Sequence, residues 1–334
     1  MIGSTEWCEK HADELNAKLV AYINSDSNAR GHLSAGGSHT LESFMSEVAR
    51  DIKDPRNGQS LSENLRTRAN NRKMGTPGTP AANAPPAAGP DGAPADGKFH
   101  MQALGSGSDY TPFLQHMGIA SLNLGFSGEG GGGVYHSDYD DFNWYSHFGD
   151  PTFEYGKALS AVTSTVVMRL ADAPLLPFEF TRFADTVGRY VSEIEKLRNG
   201  DRPGFDDLNR NVGDLKKSAS AFETAYSQAL AKLDGAAGDA ASREEKLRQV
   251  NSILFRTERA MTLPTGLPNR DWYKHRIYAP GTYTGYAVKT LPGLREAVEG
   301  GRREEAWQQY QQVSDVLRTL DSQVQEATRI LAGM

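Results

Sequence analysis

A single cysteine, Cys8, in 334 residues rules out an internal disulfide and any cysteine-based zinc knuckle. Basic residues are not in excess. Lys plus Arg is 36 against 42 Asp plus Glu, a net charge of -6, and no basic block stands out. The expectation is therefore no nucleic-acid partner bound through phosphates. Apolar runs are short, none near the roughly 20 residues a membrane helix needs. The opening Met1-Ile2-Gly3-Ser4-Thr5 has neither the basic start nor the apolar core of a secretory signal. What the chain has is length. At about 150 residues per domain there is room for two domains and a sizeable core.

The first part reads as α/β. Residues 18–24 form a short apolar run stopped by Ser25-Asp26-Ser27-Asn28, the pattern of a buried strand ending in a loop. Before it, Ser4 or Thr5 would cap a helix running to about Leu15. Leu41, Phe44, Met45, Val48 and Ile52 have helical spacing. A helix over 109–117 leads into a second strand over 118–124, and alternation of this kind argues for an α/β sheet. Residues 74–97 break the pattern: 18 of the 24 are Gly, Ala or Pro. Such a stretch buries too little to offset its ordering entropy, so it reads as a flexible insertion in a surface loop. From about Pro177 the strand signals stop. Four helical stripes follow, over residues 183–197, 208–233, 247–261 and 307–331, each with apolar residues on one face. These stripes read as bundle core. The irregular segment 263–292 lies between the last two.

Four places could carry chemistry. Asp26 lies past the carboxyl end of a strand, where ligands of open α/β sheets collect, although capping the next turn is the plainer use. Tyr135-His136-Ser137-Asp138 follows the glycine run 130–133. The imidazole suits a metal and the phenol suits an oxyanion, or the segment is a polar surface loop. Gly105-Ser106-Gly107-Ser108-Asp109 reads as a turn with a cap, whose free N–H groups could hold an anion or a peptide carboxylate. Glu6 and Glu9 share a helix face and could bind calcium, or simply be solvated.

Seven strings in order resemble glutamate carboxypeptidase II-like zinc peptidases, the superfamily of the transferrin receptor. They are Gly3-Ser4-Thr5-Glu6-Trp7, Val20-Ala21-Tyr22-Ile23-Asn24-Ser25-Asp26-Ser27, Ser106-Gly107-Ser108-Asp109-Tyr110, Gly118-Ile119-Ala120-Ser121, Tyr135-His136-Ser137, Leu176-Pro177-Phe178, and Gly266-Leu267-Pro268-Asn269-Arg270 with His275-Arg276-Ile277-Tyr278-Ala279-Pro280. Together they cover nearly the whole chain apart from the insertion.

The resemblance implies a partial zinc-exopeptidase α/β unit with flanking helices over 1–175, carrying the flexible insertion 74–97. An all-α, four-helix-bundle-like dimerisation domain over 176–334 would follow. It implies a two-zinc exopeptidase acting on peptides, and a homodimer formed through the helical half. Asp26 and His136 match two of five zinc ligands. Tyr135 matches the tyrosine that stabilises the tetrahedral intermediate, and Gly107, Ser108 and Tyr286 match substrate contacts. Glu6 and Glu9 match calcium ligands. The family's general base and remaining zinc ligands match nothing here, so the chain alone is expected to be silent. Residues that read acidic substrates in the family are Asn123, Gly125 and Gly285 here, which argues against acidic-dipeptide specificity. The compartment implied is extracytoplasmic. The alternative is a non-catalytic, transferrin receptor-like dimeric interaction module.

Overall fold

The computed structural model describes residues 1–65, 99–129, 134–197, 204–234 and 240–334. The insertion 74–97 and the glycine run 130–133 lie outside these. The start is two short helices, α1 (Ile2–Lys10) and α2 (Ala12–Lys18), rather than one capped by Ser4 or Thr5. Met1 holds the N-cap position, and Ser4 Oγ donates instead to Asp109 Oδ1 at 2.6 Å. The break at His11 lets Cys8 and Leu15 both face Phe113, Met117 and Ile119 in a small separate core.

Strand β1 (Ala21–Asn24) follows, shorter than the apolar run because Lys18 ends α2. Then come β2 (Gly31–Gly37), α3 (Glu42–Asp51) and β3 (Ala120–Gly128). The sheet order is β1-β3-β2, parallel between β1 and β3 and antiparallel between β2 and β3. β3 is the central strand and most of it is buried. The expected helix before it is present, wound as a π-helix over Pro112–His116.

The second half is mostly helical: α4 (Glu154–Ala171), α5 (Thr181–Leu197), α6 (Asp206–Asp234), α7 (Ala240–Leu254), α8 (Pro292–Glu299) and α9 (Arg303–Ala332). The expected stripes are mostly the buried faces, with Leu197 and Trp307 left exposed. Phe183, Val187, Tyr190, Val191 and Ile194 of α5 are fully buried, each stabilising the fold by about 1.5–3 kcal/mol. Strands do not stop at Pro177, however. β4 (Tyr278–Pro280) and β5 (Val288–Thr290) make a hairpin inside the segment that reads as irregular.

A buried polar network ties the hairpin to the first half. His275 Nδ1 accepts from the backbone N–H groups of Ile277 and Tyr278. Its proton therefore sits on Nε2, which donates to Glu258 Oε1 at 3.0 Å. Tyr278 Oη stands 2.8 Å from Nδ1 of His39, just after β2.

Candidate functional site

At the carboxyl end of β1, Asn24 sits in register with Asn123 of β3. Its amide Nδ2 donates to Asn123 Oδ1 and to Ser108 Oγ, both at 2.9 Å. Ser108 Oγ in turn donates to Asp26 Oδ2. The hydroxyl has one proton to give and receives one, so the chain Asn24–Ser108–Asp26 has a single direction. Asp26 itself stays exposed, with its carboxylate held from one side.

Gly107 brings the helical half to the same place. A Cβ on it would stand 2.6 Å from Cδ1 of Tyr286, whose ring therefore rests on the glycine. The backbone N–H of Ser106 donates to the Tyr286 carbonyl at 3.0 Å. That N–H is thus spent on the protein and is not open to an anion. Tyr286 is 55% exposed, so its ring remains open to a ligand.

Tyr135 stacks on His136, with ring centroids 3.8 Å apart. His136 takes the left-handed backbone conformation, φ 62°, in a turn closed by Ser137 N–H to Val134 O at 2.9 Å. The Tyr135 phenol is held above its ordinary range by partial desolvation, and then by the charges of Tyr286 and Asp26. Asp26 and Tyr286 are therefore both within electrostatic reach of the Tyr135 hydroxyl, and His136 lies against the Tyr135 ring.

Four expected site residues thus converge through direct contacts, Asp26 with Ser108 and Gly107 with Tyr286, and Tyr135 feels the charges of Asp26 and Tyr286. His136 joins them through Tyr135. Glu6 and Glu9 do something else. Glu9 Oε1 accepts the indole N–H of Trp272 at 2.7 Å, fastening α1 to the loop before the hairpin. Glu6 is exposed. Nothing here supports calcium at this pair. Among the described residues no group of three or more His, Cys, Asp or Glu side chains is placed to hold a metal ion. Zinc sites use about four ligands per metal, so the carboxylate of Asp26 and the imidazole of His136 do not by themselves fit a pair of zinc ions.

The orienting residue Asn24 is not among the site residues the sequence singles out. A polar amide closing an otherwise apolar strand was the available signal.

Residues 204–325 match the transferrin receptor-like dimerisation domain. A probable glutamate carboxypeptidase of Arabidopsis thaliana is 30% identical over 338 residues, covering 100% of this chain and 43% of the relative. The Mus musculus protein named aminopeptidase NAALADL1 is 27% identical, covering 96% of this chain and 42% of its own length. A Schizosaccharomyces pombe protein named an inactive zinc metalloprotease is 23% identical, covering 98% and 37%. The chain thus spans about two fifths of the length of these relatives. By this match and these relatives, the chain is similar to the transferrin receptor-like zinc peptidase family, over its whole length to the peptidases and over residues 204–325 to the dimerisation domain.

Proposed function

We propose that the intact protein is a two-zinc metallo-exopeptidase. Residues 1–334 would supply the C-terminal part of its peptidase unit, over 1–175, and a helical dimerisation unit over 176–334. The observation that carries this reading is the meeting of Asp26–Ser108 with Gly107–Tyr286, from positions as far apart as 26 and 286. Asp26 and His136 would each serve one of the two ions. Zinc, when bound, polarises the scissile carbonyl and activates water.

The chain's own residues would orient the reaction. Ser108 holds the Asp26 carboxylate, and Asn24 holds Ser108. The Tyr135 phenol stays protonated and donates to the oxyanion as it develops. The Tyr286 ring, seated on Gly107, supports the end of the peptide. Asn123, Gly125 and Gly285 offer no cation for an acidic side chain, so the substrate class is peptides without acidic preference. The general base and the other zinc ligands would come from outside 1–334, and the compartment would be extracytoplasmic.

The second reading, a non-catalytic dimeric interaction module, draws support from the relative named inactive. The presence of both Asp26 and His136 favours the enzyme. Zinc titration of the 334-residue chain by calorimetry, with a dipeptidase assay alongside, tests the proposal. The expected result is neither stoichiometric tight zinc nor turnover. Two tightly bound zinc ions with turnover would overturn the partial-site reading.

A further inference from the structure

Arg276 is the largest fully buried side chain in the protein, 1% exposed. It stands at the start of the β4–β5 hairpin, with its backbone N–H donating to Met261 O at 2.8 Å. Its guanidinium meets only neutral groups. Nη2 donates to Thr265 Oγ1 at 3.0 Å, and Nη1 reaches Gln309 Oε1 at 3.5 Å. Nε is buried and has no acceptor among the described residues.

Several other buried or half-buried charges are paired with an opposite charge. Arg295 pairs with Glu193 at 2.8 Å, Arg270 with Glu296 at 2.7 Å, and Glu258 faces His275 at 3.0 Å. Among the described residues no charged group shifts Arg276. Burial alone pushes it down to about 10, still protonated at neutral pH. An uncompensated buried charge is among the costliest features a fold can carry, and an unsatisfied buried donor asks for an ion or a solvent molecule.

We infer that Arg276, Thr265 and Gln309 form an internal site for a small monovalent anion of the halide class. The guanidinium supplies the charge and the free Nε–H. Thr265 and Gln309 line the remaining sides, Gln309 by rotation of its amide so that Nε2 points inward. The ion would fasten the hairpin stem to the 263–266 loop and to α9, and so steady the element that carries Tyr286. The inference does not depend on zinc or on peptidase activity.

The test is thermal unfolding of the full chain at constant ionic strength, exchanging sodium gluconate for chloride or bromide, with crystals grown in bromide for anomalous scattering. Expected are a saturable halide-dependent rise in Tm and a bromide peak beside Arg276 Nε. Arg276→Gln should abolish the rise. Should that variant fail to fold, Thr265→Val should weaken halide affinity several-fold. No halide-specific rise, the same rise in a folded Arg276→Gln, or a crystal with no bromide at Arg276 would each overturn the inference.

Discussion

At φ +102°, Gly107 occupies backbone space that other residues enter only with strain. The space beside it is taken by the Tyr286 ring, 2.6 Å from where a Cβ would be. Gly107→Ala therefore meets two penalties, and only the steric one depends on Tyr286. The expected cost in urea unfolding is about 2–4 kcal/mol, backbone strain plus overpacking. In a Tyr286→Ala background the same change should cost only the strain, about 1–2 kcal/mol. Equal costs in both backgrounds would show that the ring does not rest there. At this scale the sequence was readable where a residue type has one chemical use. Asp26, Tyr135 and His136 stood out as candidates because carboxylate, phenol and imidazole are the groups such chemistry needs. Asn24 did not, because an amide in a strand has many uses, and only its two 2.9 Å hydrogen bonds reveal which one applies.

Among elements, the legible ones were those with a single apolar face, α5, α6 and α9, whose stripes are mostly the buried positions. Of the elements the sequence did not show, α4 and the β4–β5 hairpin were hidden for opposite reasons. α4 mixes buried Val162 and Val166 with exposed Val167 and Met168, so no stripe emerges. β4 and β5 have three residues each, too few for a period, and are fixed by contacts such as Leu291 N–H to Ile277 O rather than by local preference.

The N-terminus of α5 has a further property. Glu179 precedes it, with Oε2 accepting from Arg182 N–H at 3.1 Å, while Oε1 is buried without a partner. Burial raises its carboxyl to about 8, aided by the charges of Glu223 and Glu42 and opposed by Arg182. The folded state therefore binds a proton that the unfolded chain releases near 4.5. Stability held below that pH should drain as pH rises toward 8, by an amount on the order of 4 kcal/mol. Glu179→Gln keeps the cap and removes the titration. Relative to the parent it should gain stability between pH 5 and 9, as measured by denaturant midpoints. A difference independent of pH would refute this assignment.

For the whole molecule, the decisive question is what the helical half presents outward. α6 and α9 pack lengthwise; α6 lies within the span matched as a dimerisation domain, and α9 begins within it and runs past its end. Between them opens a cleft of about 620 Å³ lined by Asp207, Arg210, Trp307, Tyr310, Asp315 and Arg318. Trp307 stacks on Tyr310 with centroids 5.4 Å apart, yet remains 44% exposed. Tryptophan left half open is a recurrent anchor of protein interfaces. The cleft also carries both signs of charge, with Arg210 on Asp207 and Arg318 on Asp315. A two-fold contact uses the same patch on both copies, so a patch holding both signs can complement itself whereas a patch of one sign repels its copy. The proposed homodimer therefore has a definite face. Sedimentation of the chain at micromolar concentration should give a dimer. Trp307→Asp should weaken association by at least about 30-fold, since an anchor of this kind contributes about 2 kcal/mol or more. Far-UV circular dichroism should not change, because the indole leaves no cavity in the core when it is removed. A monomeric parent, or a variant that dimerises as before, would move the contact elsewhere on the helical half.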